Sequence, residues 1–134
     1  MHAILQPYLQ NELVALEPLK VGDFKDLHRA ASDPLIWEQH PDTERYTFAG
    51  FSKYFEEAIA SKAAIKITRK ENNEVIGSSR YRLIDQEQSV VEIGWTFIER
   101  KYWGGSYNRS IKKLMINYAL SHFAKVVFLS LIHI

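Results

Sequence analysis

The spacing of apolar residues along the chain changes several times, and each stretch of constant spacing predicts one secondary-structure element. Alternating positions or short apolar runs predict strands over residues 13–18, 64–69, 75–84, 91–97 and 125–134. Helical spacing predicts three helices: the first follows an N-cap at Asp23, the second is capped by Ser52 and the third begins at Tyr107. The elements follow the order β-α-α-β-β-β-α-β within a single domain over residues 1–134.

This order of elements predicts an α+β fold with a mixed, mostly antiparallel sheet flanked by helices. Three consecutive strands with short turns form an antiparallel meander, and a helix between the last two strands allows them to pair in parallel. The strand over 91–97 is the most regular, because apolar residues alternate with smaller or polar ones. The predicted apolar face consists of Val91, Ile93, Trp95 and Phe97, and the opposite face consists of Glu92, Gly94 and Thr96.

Composition and charge exclude several classes of protein. The 17 basic side chains nearly balance the 16 acidic ones, so the net charge of +1 gives no reason to expect nucleic-acid binding. No apolar run approaches the roughly 20 residues of a membrane-spanning helix. The absence of cysteine excludes thiol nucleophiles and cysteine-ligated zinc, and the five histidines have no metal-binding spacing, so no metal is expected. Because no secretion signal is visible, we expect a cytoplasmic protein.

A turn of small residues, Gly104 to Ser106, stands between the strand over 91–97 and the third helix. The first turn of a helix leaves backbone N–H groups unpaired at the positive end of the helix dipole, and glycines let a phosphate approach them. Further positive charge nearby comes from Lys101, Arg109 and Lys112. The same pattern also fits a tight connection that binds nothing. Neither the P-loop pattern nor the Rossmann glycine pattern is present.

Residues 92–108 carry a more specific pattern. The run Lys101-Tyr102-Trp103-Gly104-Gly105-Ser106 resembles the Q/R-x-x-G-x-G/A motif of the GNAT superfamily of N-acetyltransferases, with Lys in the first position and Ser in the last. The tryptophan before the first glycine and the aromatic residue after the motif resemble the Rim-type branch, which acetylates the N-termini of ribosomal proteins. The order of elements over residues 13–129 also matches the family.

The resemblance implies that acetyl-CoA binds in a gap between the strand over 91–97 and the parallel strand that follows. The main chain at the end of the first strand would pair with the pantetheine arm. The amides of the turn and of the first helical residues would hold the pyrophosphate. The implied cofactor-binding residues are Thr96, Phe97, Ile98, Lys101, Trp103, Gly104, Gly105, Ser106, Tyr107 and Asn108.

The resemblance also implies direct transfer of acetyl to a primary amine of a small molecule or of a peptide N-terminus. A base must take a proton from the amine, and Glu92 is the candidate. Alternatively, Glu92 is a solvated strand residue that faces Arg80 or Arg82. Trp37 and His40 either line the acceptor pocket or belong to a packed aromatic loop. The two arginines themselves face solvent or the acceptor side, where they would attract an acidic substrate.

The C-terminal end differs from the family. Members continue past the strand at 125–130 with a loop, another helix and two more strands, whereas residues 130–134 are atypical and end this sequence. We therefore expect a truncated chain whose apolar last strand recruits a second copy, which gives a homo-oligomer. The alternative function is a catalytically inactive GNAT-like domain that serves as an oligomeric interaction module.

Overall fold

The computed structural model describes residues 5–38, 40 and 42–128 of the chain. Within these residues, six strands and three α-helices form one α+β structure. The strands are β1 (Leu9–Gln10), β2 (Val14–Pro18), β3 (Ala64–Arg69), β4 (Glu74–Asp85), β5 (Val90–Ile98) and β6 (Lys125–Phe128). The helices are α1 (Phe24–Ala31), α2 (Phe48–Ser61) and α3 (Tyr107–His122). Single turns of 3-10 helix lie at Val21–Asp23, Pro34–Ile36 and Arg100–Tyr102.

The described strands form one mixed sheet in the order β1-β2-β3-β4-β5-β6. The first four pairings are antiparallel, and β5 pairs with β6 in parallel. A parallel pair needs a crossover, and α3 provides it because it runs back along the sheet between the two strands. The predicted α+β fold, with an antiparallel meander and one parallel pair, is confirmed.

The helices cover both faces of the sheet. On one face, α3 buries Ile111 and Met115 against the strands, and the hydroxyl of Tyr81 donates a hydrogen bond to the Met115 carbonyl at 2.8 Å. On the other face, α1 and α2 enclose an aromatic cluster that includes Phe51 and Phe97. Full burial of one such side chain stabilises a fold by about 1.5–3 kcal/mol, so both layers are needed.

Three register shifts interrupt the regular pairing of β4. The first lies opposite Ile67 and Thr68 of β3, the second is a bulge that gives β5 one extra residue between Gly94 and Phe97, and the third lies between Leu83 and Asp85. At this second bulge Trp95 has a φ of 54°. Close approach of the strands requires Gly77, because a Cβ there would lie 2.2 Å from the Phe97 carbonyl oxygen.

The bulge in β5 exchanges the two faces of the strand. Val91 and Ile93 pack in the core beneath α3, whereas Trp95 and Phe97 pack in the core beneath α1 and α2. The predicted single apolar face over 91–97 is therefore wrong beyond Gly94. One extra residue shifts every later side chain to the opposite face, and a two-residue repeat in the sequence does not reveal it.

Several element boundaries also differ from the predictions. Strand β1 was not predicted, because two residues are too few for a pattern. Helix α2 begins at Phe48 rather than near Ser52, since the hydroxyl of Thr47 accepts from the Gly50 N–H at 3.0 Å and caps the helix. The last predicted strand is described only over Lys125–Phe128, and residues 129–134 lie outside the described part.

The prediction that Asp23 caps α1 is wrong, because its side chain binds other groups. Its side chain caps no N–H of α1 but accepts from the Lys20 N–H at 2.8 Å, which closes the 3-10 turn before the helix. The other carboxylate oxygen accepts from Lys66 at 2.9 Å. Burial disfavours the charge of Lys66, but the hydrogen bond and the charge of Asp23 outweigh it and raise the pKa of the lysine.

Candidate functional site

The edge of β5 that faces β6 is only partly paired. Among the described residues the two strands pair from Val90 with Lys125 to Ile93 with Phe128. Strand β5 then continues to Ile98, so its second half has no described strand beside it on that edge. The described pairing with β6 ends at Ile93, and the bulge at Trp95 follows in β5. An unpaired strand edge offers main-chain N–H and C=O groups to a ligand that adds along it.

Tyr54 of α2 fixes the bulge from the opposite face. Its hydroxyl donates to the Trp95 carbonyl at 2.6 Å, so a carbonyl that has left the sheet ladder is still paired. Burial raises the pKa of Tyr54 to about 12, although the charges of Arg45 and Arg80 oppose that rise. The phenol therefore stays protonated and keeps its role as a donor over the physiological pH range.

The main-chain groups at the end of β5 alternate between its two edges. Glu99 donates its backbone N–H to the Ile76 carbonyl of β4 at 2.7 Å, so Phe97 also directs its main-chain groups towards β4. The groups of Thr96 and Ile98 then point to the open edge. The indole N–H of Trp103 donates a hydrogen bond to the Ile98 carbonyl at 2.9 Å. Of the three residues predicted to pair with a pantetheine arm, Phe97 is turned away.

The side chains of these residues also lie on different faces. Phe97 is buried in the aromatic cluster beneath α2. Thr96 is exposed on the α3 face, with its Oγ1 at 2.7 Å from the Ser79 Oγ. The prediction that Glu92 shares a face with Thr96 is wrong, because the bulge lies between them.

The turn before α3 has the geometry of an open anion cradle. Gly104 has a φ of 79°, a conformation that favours glycine, and Gly105 follows it. A Cβ at either glycine would meet no atom within 4 Å. Ser106 occupies the N-cap position of α3 without a side-chain cap, so the first N–H groups of the helix receive no help from it. Tyr107 and Asn108 open the helix, and Asn108 is exposed.

A charged network holds this turn against β4 and α1. The carboxylate of Glu74 accepts from the Tyr102 hydroxyl at 2.7 Å and lies 3.5 Å from Arg29. The hydrogen bond from Tyr102 is the main cause that lowers the pKa of Glu74. Burial and Glu74 in turn raise the pKa of Tyr102 to about 12. The network fixes the segment that the glycines leave conformationally free.

Two predicted cofactor residues near the turn are engaged in contacts within the protein. The ammonium of Lys101 lies 3.8 Å from Glu74 and 3.6 Å from Glu99, so two carboxylates already share its charge. Tyr107 accepts a hydrogen bond from Arg69 at 2.7 Å. Trp103 stays half exposed beside the open edge of β5.

Glu92, the predicted base, is buried and paired. It lies on β5 opposite Arg82 of β4, and the Arg82 Nε donates to its carboxylate at 2.8 Å. The side chain of Glu92 is 9% exposed, whereas that of Arg82 is 57% exposed. The alternative interpretation, a solvated glutamate that faces an arginine, is wrong about solvation because Glu92 is buried, but the predicted arginine partner is present.

The aromatic loop before α2 is partly a packing element. Trp37 is buried, donates its indole N–H to the Ala31 carbonyl at 2.9 Å, and contacts Phe97. His40 is partly exposed and lies within hydrogen-bond distance of Arg45, at 3.2 Å. The packed-loop interpretation fits Trp37, while His40 remains at the surface of the loop.

The structure adds Tyr54 and the bulge to the predicted site. Helical spacing identified Tyr54 only as a core residue, and no sequence signal links its hydroxyl to a carbonyl on β5.

Among the described residues there is no group of three side chains suited to hold a metal ion. None of the described helices has the length and apolar character needed to cross a bilayer.

Comparisons with known proteins give one consistent result. The sequence profile of the acetyltransferase (GNAT) domain matches residues 14–133. A comparison with curated protein sequences gives no match. Among solved structures, a GCN5-related N-acetyltransferase from Brucella melitensis superposes with a TM-score of 0.77 at 20% identity, covering 88% of this chain and 56% of that one.

Two further solved structures contain coenzyme A in some form. RimJ from Mycobacterium smegmatis, in complex with CoA-disulfide, has a TM-score of 0.62 at 13% identity and covers 87% of this chain and 61% of that one. Spermidine N-acetyltransferase from Vibrio cholerae, in complex with CoA and spermine, has a TM-score of 0.63 at 16% identity and covers 83% and 66%. These likenesses show a shared fold, and this chain spans between a half and two thirds of each relative's length.

Proposed function

The chain belongs to the acetyltransferase (GNAT) domain family. From that membership and from the second half of β5, which has no described neighbour on one edge, we propose that the protein transfers acetyl from acetyl-CoA to a primary amine of a small molecule or a peptide N-terminus. The observation that carries this proposal is the coincidence of two features. Strand β5 runs on beyond Ile93 with no described strand beside it on that edge, and it ends at a glycine turn that opens onto helical N–H groups without a side-chain cap.

The residues at this end of the sheet fit the two parts of coenzyme A. The backbone of Thr96 and the N–H of Ile98 are on the open edge, where an amide-containing pantetheine arm can add as a strand does. The amides from Gly104 to Asn108 fit the pyrophosphate, because the helix dipole and unpaired N–H groups both favour an anion. The solved complexes of the Mycobacterium smegmatis and Vibrio cholerae relatives with CoA species support this choice of co-substrate.

The chemistry requires a neutral amine next to the thioester that acetyl-CoA supplies. A new C–N bond forms at the acetyl carbon, the C–S bond breaks, and the amine gives up one proton. We assign Glu92 as the acceptor of that proton, directly or through one water, with Arg82 holding the carboxylate in position at 2.8 Å. The proton is then available to the departing thiolate. Backbone N–H groups on the open edge of β5 are the donors available to the oxyanion.

The Rim-type branch and the oligomeric state are further parts of the proposal. Trp103 before the glycines and Tyr107 after them support the branch that acetylates peptide N-termini. Strand β6 lies at the end of the described sheet and exposes 44% of Phe128, which supports pairing with a second copy. A cytoplasmic location stays a prediction from the sequence.

Release of free thiol from acetyl-CoA tests the proposed function. The chain contains no cysteine, so a thiol-reactive dye reports only the coenzyme A that is produced. We expect thiol release that depends on both the protein and an added primary amine, together with binding of acetyl-CoA in a calorimetric titration. Absence of both binding and release would refute the proposal, and binding without release would favour the inactive interaction module.

A further inference from the structure

Arg80 has no hydrogen-bond acceptor and no acidic partner for its guanidinium among the described residues. The residue is only 9% exposed. Its guanidinium nitrogens are not among the fully buried, unsatisfied side-chain atoms of the described residues, so they remain accessible to a ligand. An arginine that is largely buried usually has a carboxylate or another acceptor beside it. Burial also lowers the pKa of Arg80, which shows that its surroundings disfavour the charge.

The surroundings hold the guanidinium in place but do not neutralise it. Its central carbon lies 3.7 Å from the ring centroid of Trp95, so the two groups form a close cation–π contact. Of the charged groups that act on it, Glu57 is acidic and Arg45 and Arg82 are basic. Arg82 is itself paired with Glu92 and Arg45 with Asp42, so Arg80 is the basic group here whose donors no described carboxylate uses.

Arg80 forms part of the wall of a cavity with a volume of about 540 Å³. This volume lies within the range of small-molecule sites, about 300–1,000 Å³. The cavity opens between the C-terminal half of α2 and β4. It is open to solvent, and beside apolar side chains its lining contains the polar residues Glu57, Ser61, Arg80, Tyr81 and Arg82.

The cavity adjoins the proposed site of acetyl transfer. Arg80 pairs across the strands with Gly94, where the bulge of β5 begins, and Arg82 pairs with Glu92. Arg82 thus belongs both to the cavity wall and to the ion pair of the proposed base. Arg82 therefore links the cavity wall to Glu92, which does not itself line the cavity.

We propose that Arg80 binds a carboxylate of the acetyl acceptor, so that the substrate is a primary amine that also carries an acidic group. The inference rests on the proposed function, because it names the substrate class for that site. A carboxylate satisfies the guanidinium with two parallel hydrogen bonds, and the charge of the guanidinium attracts it.

The test uses ω-amino acids from glycine to aminohexanoate and the matching carboxamides, which keep the amine and the length but lose the negative charge. Direct calorimetric titration measures each without any need for turnover. We expect the best amino acid to bind at least about tenfold more tightly than its carboxamide, since hydrogen bonds between charged groups are strong. In Arg80→Gln that preference should vanish, and in Arg80→Lys part of it should return.

Matched controls separate recognition from folding. Lys53→Gln on the exposed side of α2 removes the same charge outside the cavity and should keep the preference. A purely structural Arg80 would instead make Arg80→Gln melt at a lower temperature and leave the two ligand series equal in the wild-type protein. Equal binding of both series, or no binding of either, overturns the inference.

The proposed function fails or survives independently of this result. If acetyl-CoA binds and thiol is released with the carboxamides or spermidine but not with the amino acids, acetyl transfer stands and the acidic acceptor is wrong. If the amino acids bind through Arg80 while acetyl-CoA does not bind at all, the recognition of the carboxylate stands and the proposed function is wrong.

Discussion

Replacing Tyr54 by phenylalanine should change how the stability of this protein responds to alkaline pH. The hydroxyl of Tyr54 donates to the Trp95 carbonyl at 2.6 Å, and loss of a buried donor costs roughly 1–3 kcal/mol at neutral pH. The pKa of this phenol is raised from 10.0 to about 12, because the buried site disfavours the phenolate. The stability linked to that shift is present below pH 10 and is lost as pH rises towards the folded value.

The magnitude follows from the two pKa values. At about pH 11 the phenol is mostly ionised in the unfolded chain but mostly neutral in the folded one, so the wild-type protein has lost roughly 1.4 kcal/mol through this group. The free energy of unfolding of wild type and Tyr54→Phe should be measured in urea at about pH 8 and about pH 11. The advantage of the wild-type protein over the variant should be smaller at the higher pH by about 1.4 kcal/mol.

The control is Tyr8→Phe, which removes a phenol that is 68% exposed and lies away from the bulge. If the difference between wild type and Tyr54→Phe stays the same at both pH values, Tyr54 does not hold the Trp95 carbonyl in a buried site. The account of how α2 fixes the bulge would then be wrong.

Three further predictions concern the turn, the base and the charged network. Gly104→Ala places a side chain at a φ of 79° and should cost about 1–2 kcal/mol of stability. Gly105→Val should leave the melting temperature nearly unchanged, because its side chain meets no atom of the protein, and should still weaken CoA binding by at least about tenfold in calorimetry. Unchanged CoA affinity in Gly105→Val would mean that the turn is only a connection. Glu92→Gln should lower kcat/KM for thiol release by about 10²-fold or more and leave CoA affinity unchanged, and Arg82→Gln serves as the control for loss of the ion pair alone. Full turnover in Glu92→Gln would refute its role as the base. The hydrogen bond from Tyr102 lowers the pKa of Glu74. The stability that Glu74 contributes is therefore present above pH 4.5, its usual pKa, and is lost as the pH falls below that value. Glu74→Gln should accordingly flatten the acid limb of a plot of melting temperature against pH. An acid limb as steep as that of the wild-type protein would contradict this.

Much of the architecture follows from periodicity in the sequence. The long helices, the meander and the parallel last pair are each set by local apolar spacing and by connection length, and both can be read directly. The glycine turn before α3 was also predictable, since Gly104 adopts a conformation that other residues avoid.

The decisive details of the site depend on contacts between distant residues. The bulge at Trp95 exchanges the faces of β5, and it is held by Tyr54, which lies 41 positions away in the sequence. The pairing of Glu92 with Arg82 depends on the register that this strand adopts. That Arg80 has no acceptor among the described residues is visible only in the structure. Local pattern does not encode such features, because tertiary packing decides them.

A calorimetric comparison of coenzyme A with pantetheine tests most directly whether the turn before α3 binds the pyrophosphate. The two ligands share the arm that would pair with β5, but only coenzyme A carries the pyrophosphate that the N–H groups of residues 104–108 are proposed to hold. We predict clear binding of coenzyme A and affinity for pantetheine lower by at least about 10²-fold, in line with the loss of several charge-assisted hydrogen bonds. Equal affinity for the two ligands, or no affinity for coenzyme A, would contradict it.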